Sequence, residues 1–580
     1  MAAIINDREL RMSDSSIVIW GAGKIGRGFI GDLFSRAGYR ITFVDADKRL
    51  TKELGQRASY TVYNLRSEKD QEKVSIDGFR ILHTDEESEV MKTLMETRIM
   101  AVAVFPGAFE DTAERIAQHI EARRRNPQAP PLDIILCANI HHPEPQFRRY
   151  IEAGLSEEGK KYLRENIGIA ESLIIRMAVE PAEDMQREDP FVVMTNGYRI
   201  LTVDGTALKN EAPKVEGIRL TENIAAEEIR KMYTYNMVHG VYAYLGKLKN
   251  LTTVIEAIQD NTIQSAALGA LEEISRGLQS EFGFTEEEMH RWNREVLENM
   301  ANPILKDTIN RVGGDPVRKL RNQDRLIGPA LLCRKNGIMP WYLSLAAAAG
   351  YLFLNPEDNS AVEIQDFLKT YDIKAAIKRY SGIIYEVDLI QQIAEKYIRL
   401  RESGLNWIKN EEPLINAVKK AYERGFQNEL SIRGCAQCAI RALGEATGKV
   451  EKTLFQAASG LSGGIAITGD GSCGGYTGGV LYMGSYAGRR MDYLEDGDKV
   501  VQYQSYDMAQ KLHDRFLETY GSVTCSEIHK EIFGTAYSLR TKAVRNDFEE
   551  AGGHLDKCTT VIAMASSWVM ELLREEGFES

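Results

Sequence analysis

Residues 16–26 read Ser16-Ile17-Val18-Ile19-Trp20-Gly21-Ala22-Gly23-Lys24-Ile25-Gly26, and the fold of the N-terminal part turns on them. A short apolar run leads directly into glycines spaced G-x-G-x-x-G, and an amphipathic stretch continues to about residue 37. Such a strand, turn and helix needs a tight turn at Gly21, a bare backbone at Gly23 that lets a pyrophosphate approach, and close helix–strand packing at Gly26. The helix start supplies free amides and the positive end of its dipole to an anion. A second strand, residues 41–44, leads to Asp45, where a carboxylate accepts hydrogen bonds from an adenosine ribose and repels a 2′-phosphate. The expected cofactor is therefore NAD rather than NADP, held by Gly21, Gly23, Gly26 and Asp45. Lys24 and Arg27, near the same helix start, are expected to soften that preference slightly.

Working outward, residues 98–105 and 132–138 read as further strands with a helix over 109–123 between them. Alternation of this kind predicts a parallel sheet covered by helices. Residues 192–194 and 198–201 flank Thr195-Asn196-Gly197 and predict an antiparallel hairpin. From about 221 to 400 the apolar spacing becomes helical, and polar breaker clusters at 402–404 and 409–413 predict a linker. The expected architecture is an α/β Rossmann-type domain over residues 1–208, an all-α substrate domain over 209–400, a linker over 401–413 and a mainly helical, cysteine-containing domain over 414–580. The chain is expected to keep its upstream chemistry when cut near Gly404.

The chain has 580 residues, with 84 acidic side chains against 72 basic ones, a formal charge of −12. That balance argues against nucleic acid or an anionic membrane as a partner, since both demand a basic face. No run approaches the roughly 20 apolar residues of a membrane span. Residues 1–11 lack a signal-peptide core, so a cytoplasmic location and a small-molecule substrate are expected. Composition sets no oligomeric state.

Residues 230–240 place Lys231, Asn236 and His239 within nine positions. On a uniform α-helix, at about 100° per residue, the three project within one arc of roughly 140°. Hydride transfer at a carbinol carbon needs a group that moves the hydroxyl proton and donors for the oxyanion. A desolvated lysine suits the first role and an amide the second. A solvent-facing polar stripe is the competing interpretation. His141-His142 form no expected metal site, because adjacent histidines do not face one ion and no acidic partner sits at ligand spacing in the sequence.

Over residues 17–396 the chain resembles the polyol-specific long-chain dehydrogenases, in particular their phosphate-using branch. The markers are Gly21-Ala22-Gly23-Lys24-Ile25-Gly26-Arg27-Gly28-Phe29-Ile30-Gly31, then Lys231, Asn236 and His239 continuing into Ala243-Tyr244-Leu245-Gly246-Lys247-Leu248. The third runs from Arg311-Val312 through Asp315-Pro316-Val317-Arg318-Lys319-Leu320 to Asp324-Arg325-Leu326-Ile327. The resemblance implies metal-independent hydride transfer between NAD and C2 of fructose 6-phosphate, with mannitol 1-phosphate as the polyol. It implies Lys231 as general acid/base, Asn139 and Asn236 as the amides holding the alkoxide, and His239, Arg311 and Lys319 as substrate contacts. Arg318 or Arg325 would reach a phosphate. Three positions depart from the family: Ala138 where an acid is usual, Ile175 where an Asp precedes the arginine matched by Arg176, and Lys24 where the mannitol branch has Asn. The first two alter polar groups near the substrate and keep an NADH-binding redox sensor with little turnover as an alternative; a hexuronate reductase of tagaturonate or fructuronate type, a branch that shares the same lysine and asparagines, is the other.

Seven cysteines are distributed unevenly: Cys137 and Cys333, then Cys435, Cys438, Cys473, Cys525 and Cys558 within the last 150 residues. Clustering in a large chain of this kind points to metal, cluster or redox chemistry rather than a disulfide framework, and Cys137 reads as core. Cys435 and Cys438 stand one turn apart at an expected helix start, where the dipole favours thiolate. The glycines around Cys473 allow close helix approach, and without a GK[ST] ending they form no phosphate loop. Residues 414–573 resemble the C_GCAxxG_C_C family of redox-active or metal-binding proteins, with Cys435, Cys473, Cys525 and Cys558 at the family's four positions. Cys438 is additional, and Gly475 replaces the usual Ala. The resemblance implies an iron–sulfur cluster or zinc on those four thiols, or reversible disulfides.

Overall fold

The computed structural model describes residues 15–67, 69–138, 141–408, 411–492 and 499–578. Among them the strands, in chain order, are β1 (Ser16–Trp20), β2 (Arg40–Asp45), β3 (Ser59–Leu65), β4 (Gln71–Asp77), β5 (Arg80–His83), β6 (Ile99–Val102), β7 (Leu132–Leu136), β8 (Ile167–Leu173), β9 (Ala178–Val179), β10 (Val193–Thr195), β11 (Leu201–Asp204) and β12 (Ile218–Thr221). The main sheet runs β12-β11-β8-β7-β6-β1-β2-β5. From β5 to β8 every neighbouring pair is parallel, and the order is that of a doubly wound dinucleotide-binding sheet. Strands covered on both faces read as continuous apolar runs, which is why β1, β6 and β7 were visible in the sequence. The helix Phe109–Arg124 crosses from β6 to β7 and buries Phe109, Ala113, Ile116, Ala117 and Ile120, at three and four spacing, on one face of the sheet.

Two local expectations are corrected. The glycine-turn helix is not uniform: after Lys24-Ile25 it passes through a π segment, Gly26–Gly31, and returns to α over Asp32–Arg36. The hairpin around Asn196-Gly197 does not form. β10 pairs with β3 and β9 in a separate sheet, β4-β3-β10-β9, whereas β11 joins the main sheet, antiparallel to β8 and parallel to β12. The turn's hydrogen bonds go elsewhere, because the Asn196 amide donates to Met177 O and Asn196 Oδ1 accepts from the Met177 amide, both at 3.0 Å. An Asn-Gly pair there redirects the chain between sheets.

The described residues up to 230, with 301–306, form one compact unit, and those of 231–300 with 307–578 form the other. The second is helical. Its cysteine-bearing part is packed onto the rest of that unit rather than tethered by a free linker. The helix Glu412–Ser431 brings Lys419 Nζ within 3.1 Å of Glu273, which is fully buried, and Glu423 takes a bidentate contact from Arg276 at 2.7 and 2.8 Å. The same helix lies so close to the helix Cys558–Glu575 that a Cβ at Gly425 would stand 2.9 Å from Ala563 Cα. Buried Arg334 holds Asp388 and donates to Thr560 Oγ1 at 3.1 Å.

Candidate functional site

In the first unit the glycine turn has the shape its spacing demands. Gly21 sits at φ +103°, with its amide on Val44 O, and a Cβ there would lie 2.4 Å from Ala103 O. A Cβ at Gly26 would fall 1.9 Å from Gly21 O, whereas one at Gly23 would meet nothing within 4 Å. The turn is thus closed against the sheet and open where an anion would approach. Asp45, at the end of β2, accepts from the Ala22 amide at 2.7 Å and the Asp47 amide at 2.9 Å. Of the two nearby cations, Arg27 feels the charge of Asp45. Lys24 is paired with Glu180, and Arg27 is buried, donating to the carbonyls of Ala22 and Phe191.

Arg176 is structural: buried over the Phe29 ring, it donates to Asp32 and to Gly28 O. Ala138 and Ile175 are buried apolar residues, and Cys137 is in the core. Asn139 lies outside the described residues. The two histidines after it do have acidic partners, supplied by other elements. His141 Nδ1 is 2.9 Å from Glu228, and His142 Nδ1 is 2.9 Å from Glu171, which is buried and also accepts from the Glu144 amide. Burial and the charge of Glu171 push Glu228 up.

In the second unit, Lys231 ends the helix Ile224–Lys231, a π turn covers Met232–Asn236, and an α-helix resumes over Met237–Leu248. The extra residue of the π turn departs from the uniform rotation assumed from spacing, so the three polar groups follow a helix junction rather than one α-helical stripe. Asn236 Nδ2 lies 3.1 Å from Met232 Sδ. His239 Nε2 stands 3.1 Å from Asp307, which also holds Arg311. Burial and the cations Arg325, Arg311 and Lys319 push the His239 imidazole down, leaving it neutral at physiological pH. Arg318 is shared by Asp315 and Asp324 at 2.7 and 3.0 Å, and Arg325 donates to Asp324. Lys319 donates to Val312 O and Gly314 O, and desolvation lowers it to about 8. The expected contacts Arg311, Arg318 and Lys319 thus line one open groove of about 550 Å³, and His239 lies close enough to feel two of their charges. Asp307 was not found in the sequence, having no motif of its own.

The tail brings Cys435, Cys473, Cys525 and Cys558 to one cavity of about 250 Å³. Three are the first residues of the helices Cys435–Thr447, Cys525–Phe533 and Cys558–Glu575, and Cys473 caps Gly474–Ala487. A Cβ at Gly474 would come within 2.2 Å of Cys435 Sγ, so the bare backbone is what lets these helices meet. An antiparallel bridge between Ser472 and Thr524 ties the segments preceding Cys473 and Cys525. Upstream of Cys473, Gly463, Gly464, Ile465, Ala466 and Ile467 all have positive φ. A non-glycine left-handed residue costs about 1–2 kcal/mol, and the turn is closed by its own backbone, with the Ala466 amide on Gly460 O, Ile467 on Ser462 O and Gly469 on Gly463 O. Its Gly463 amide donates to Cys435 Sγ at 3.3 Å.

His529 Nε2 stands 3.8 Å from Cys525 Sγ and 3.6 Å from Cys558 Sγ. Burial pushes Cys435, Cys473 and Cys525 up to about 12 and lowers His529 to about 4. Among the described residues no three His, Cys, Asp or Glu side chains are already gathered in a metal-holding group. The sequence missed Glu429, His529 and His554. Only the Cys525-x-x-x-His529 spacing, one face of a helix, could have signalled one of them.

Among the described residues no helix is long and apolar enough to cross a membrane. A mannitol dehydrogenase Rossmann-domain model matches residues 15–217, a mannitol dehydrogenase C-terminal-domain model 223–423, and the redox-active C_GCAxxG_C_C model 434–572. The chain is 33% identical over 385 residues to a mannitol-1-phosphate 5-dehydrogenase of Brevibacillus brevis, covering 66% of this chain and 98% of that one. It is 30% identical over 382 residues to the Caldanaerobacter subterraneus subsp. tengcongensis protein of the same name, covering 66% and 97%. A D-sorbitol dehydrogenase in substrate-free form shares the fold with TM-score 0.59 at 14% identity, over 69% of this chain and 95% of that one. Mannitol 2-dehydrogenase of Pseudomonas fluorescens, in ternary complex with NAD and D-mannitol, does so with TM-score 0.50 at 16% identity, over 69% and 94%.

Proposed function

We propose, because this chain belongs to the mannitol dehydrogenase family, that it is an NAD-dependent oxidoreductase interconverting a polyol phosphate and a ketose phosphate, of the mannitol 1-phosphate and fructose 6-phosphate kind. What carries this reading is the match along nearly the whole length of mannitol-1-phosphate 5-dehydrogenases. The glycine turn supports this reading: Gly23 is open, Gly21 and Gly26 admit no side chain, and Asp45, held by the Ala22 amide at the end of β2, is the residue for the ribose. NAD, when bound there, supplies or accepts the hydride. Lys231 moves the hydroxyl proton, Asn139 and Asn236 hold the alkoxide, and His239, Arg311, Arg318 and Lys319 contact the substrate. A neutral His239 suits a hydrogen-bonding rather than a charged role, and a lysine lowered to about 8, as Lys319 is, suits an anionic ligand.

The tail is read as a redox module in which Cys435, Cys473, Cys525 and Cys558 share one site. The donor set suits a thiophilic ion or an iron–sulfur cluster, since four soft sulfurs and one neutral imidazole face a single cavity. Reversible disulfides are the other chemistry that satisfies those thiols.

The first reading is tested by NADH oxidation against fructose 6-phosphate, fructose and hexuronates. Preferential turnover of the phosphorylated ketose supports it, and turnover confined to hexuronates overturns the substrate. Metal analysis with thiol counts on anaerobically purified protein tests the second. No metal, and free thiols unchanged by oxidation, would reduce the tail to packing.

A further inference from the structure

Cys438 has no place in the four-cysteine pattern, yet it is one of the most protected thiols of the tail, 1% exposed. It sits three residues beyond Cys435 on the helix Cys435–Thr447. With a rise of about 1.5 Å per residue and a radius of about 2.3 Å, a helix sets Cα atoms three residues apart at about 5 Å, inside the roughly 4.4–6.8 Å that a disulfide requires. The two positions differ in access. Cys435 lines the cavity and is partly exposed, whereas Cys438 lies behind it with its thiol 3.2 Å from Arg433 O. That is the layout of an attacking and a resolving sulfur.

Glu429, on the helix Glu412–Ser431, completes the arrangement. It is 2% exposed, lines the same cavity and reaches the Cys438 thiol, and its Oε2 has no hydrogen-bond partner among the described residues. From its Oε1 a line of polar groups leads outward: His554 Nε2 at 3.6 Å, Glu549 at 2.8 Å from His554 Nδ1, and Arg433 at 2.9 Å from Glu549. Burial raises Glu429 to about 7, where it can take a proton from Cys438 and return it near neutrality. The helix start and the Gly463 amide stabilise charge on Cys435.

We propose that Cys435 and Cys438 form a dithiol–disulfide exchange couple, with Glu429 as proton acceptor for Cys438, acting on a small disulfide admitted to the cavity. This rests on the reading of the tail as a redox module. Ile528, Phe548, Val561 and Ile562 line the cavity and favour an apolar flank on that disulfide, while Arg433 and Arg545 match a carboxylate. Cys435, as thiolate, attacks one sulfur of the substrate disulfide. That S–S bond breaks, the first substrate thiolate leaves, and the proton lost by Cys435 goes to it. Glu429 then takes the Cys438 proton as Cys438 sulfur attacks Cys435 Sγ. The mixed disulfide breaks, and the second substrate thiolate leaves and takes that proton. Two electrons pass from the dithiol to the substrate, and no other oxidant is needed.

The test uses full-length protein, anaerobically purified, incubated with glutathione disulfide and followed by alkylation and peptide mass analysis. Wild type should form a Cys435–Cys438 disulfide. Cys438→Ser should instead accumulate glutathione on Cys435. Glu429→Gln should slow closure of the disulfide at least tenfold while NADH-dependent turnover stays unchanged. Absence of glutathione on Cys435 in the Cys438→Ser protein, or unchanged closure in Glu429→Gln, overturns the couple. If bound iron or zinc is then found, or Cys473, Cys525 and Cys558 change state, the couple falls while the redox module stands. If no thiol changes and no metal is bound, both fall.

Discussion

Asp45 accepts from the Ala22 and Asp47 amides and is the residue we propose for the adenosine ribose. A carboxylate there costs little to preorganise and repels a 2′-phosphate. Wild-type protein should therefore bind NADH well above NADPH in isothermal titration. Asp45→Asn keeps an oxygen for Ala22 and removes the charge, so it should narrow that preference; equal wild-type affinities would sink the assignment. Lys231→Ala should leave NADH binding nearly intact and lower turnover by about 10² to 10⁴, the typical contribution of a positioned acid or base. Near-normal ketose reduction by that variant would remove Lys231 from the chemistry. The closed turn at Gly21 and Gly26 was legible because its spacing has a mechanical reason. Asp307, Glu171 and Glu228 were not, since each meets its histidine partner only through the fold.

At the scale of elements, what was legible depended on whether a local pattern kept its hydrogen bonds local. β1, β2, β6 and β7 and the helix after Phe109 were readable because a buried parallel sheet writes apolar runs and its crossover helix an apolar face. The hairpin failed because Met177 takes the bonds of Asn196. The π turns at Gly26–Gly31 and Met232–Asn236, and the left-handed turn around Ile465, leave no periodic trace in the sequence. The glycine helix of the tail separates packing from propensity. At Gly484 a Cβ would meet nothing within 4 Å, so Gly484→Ala should raise stability by about 0.5–1 kcal/mol through lost backbone entropy. At Gly474 the same methyl would meet Cys435 Sγ at 2.2 Å and Ala436 N at 2.6 Å. Gly474→Ala should therefore cost about 1–3 kcal/mol as overpacking. Urea midpoints of the two variants moving in the same direction would contradict this view of the helix contact.

At the scale of the whole molecule, the breaker residues near 402–413 were a misleading sign of independence. The helix beyond them supplies Lys419 to Glu273, and Glu273 is buried beneath Tyr342 and Leu343, whose amides it accepts. A chain cut near Gly404 would leave that carboxylate without its cation, so loss of stability, rather than an intact upstream enzyme, is the expected outcome. Lys419→Met tests the same contact in the full chain. Removing one partner of a buried pair costs about 3–5 kcal/mol. The pH dependence has a definite sign. Desolvation already raises Glu273 above its ordinary value, and Lys419 opposes that rise. Without Lys419 the folded-state value climbs further, so the native protein binds a proton that the unfolded chain releases. Stability relative to wild type should then fall as pH rises from the carboxylate range toward neutrality, and recover in acid. Urea unfolding of wild type and Lys419→Met at pH 5 and pH 8 measures it: a larger deficit at pH 8 is expected, and an equal deficit at both would show that Glu273 does not depend on Lys419 for its charge.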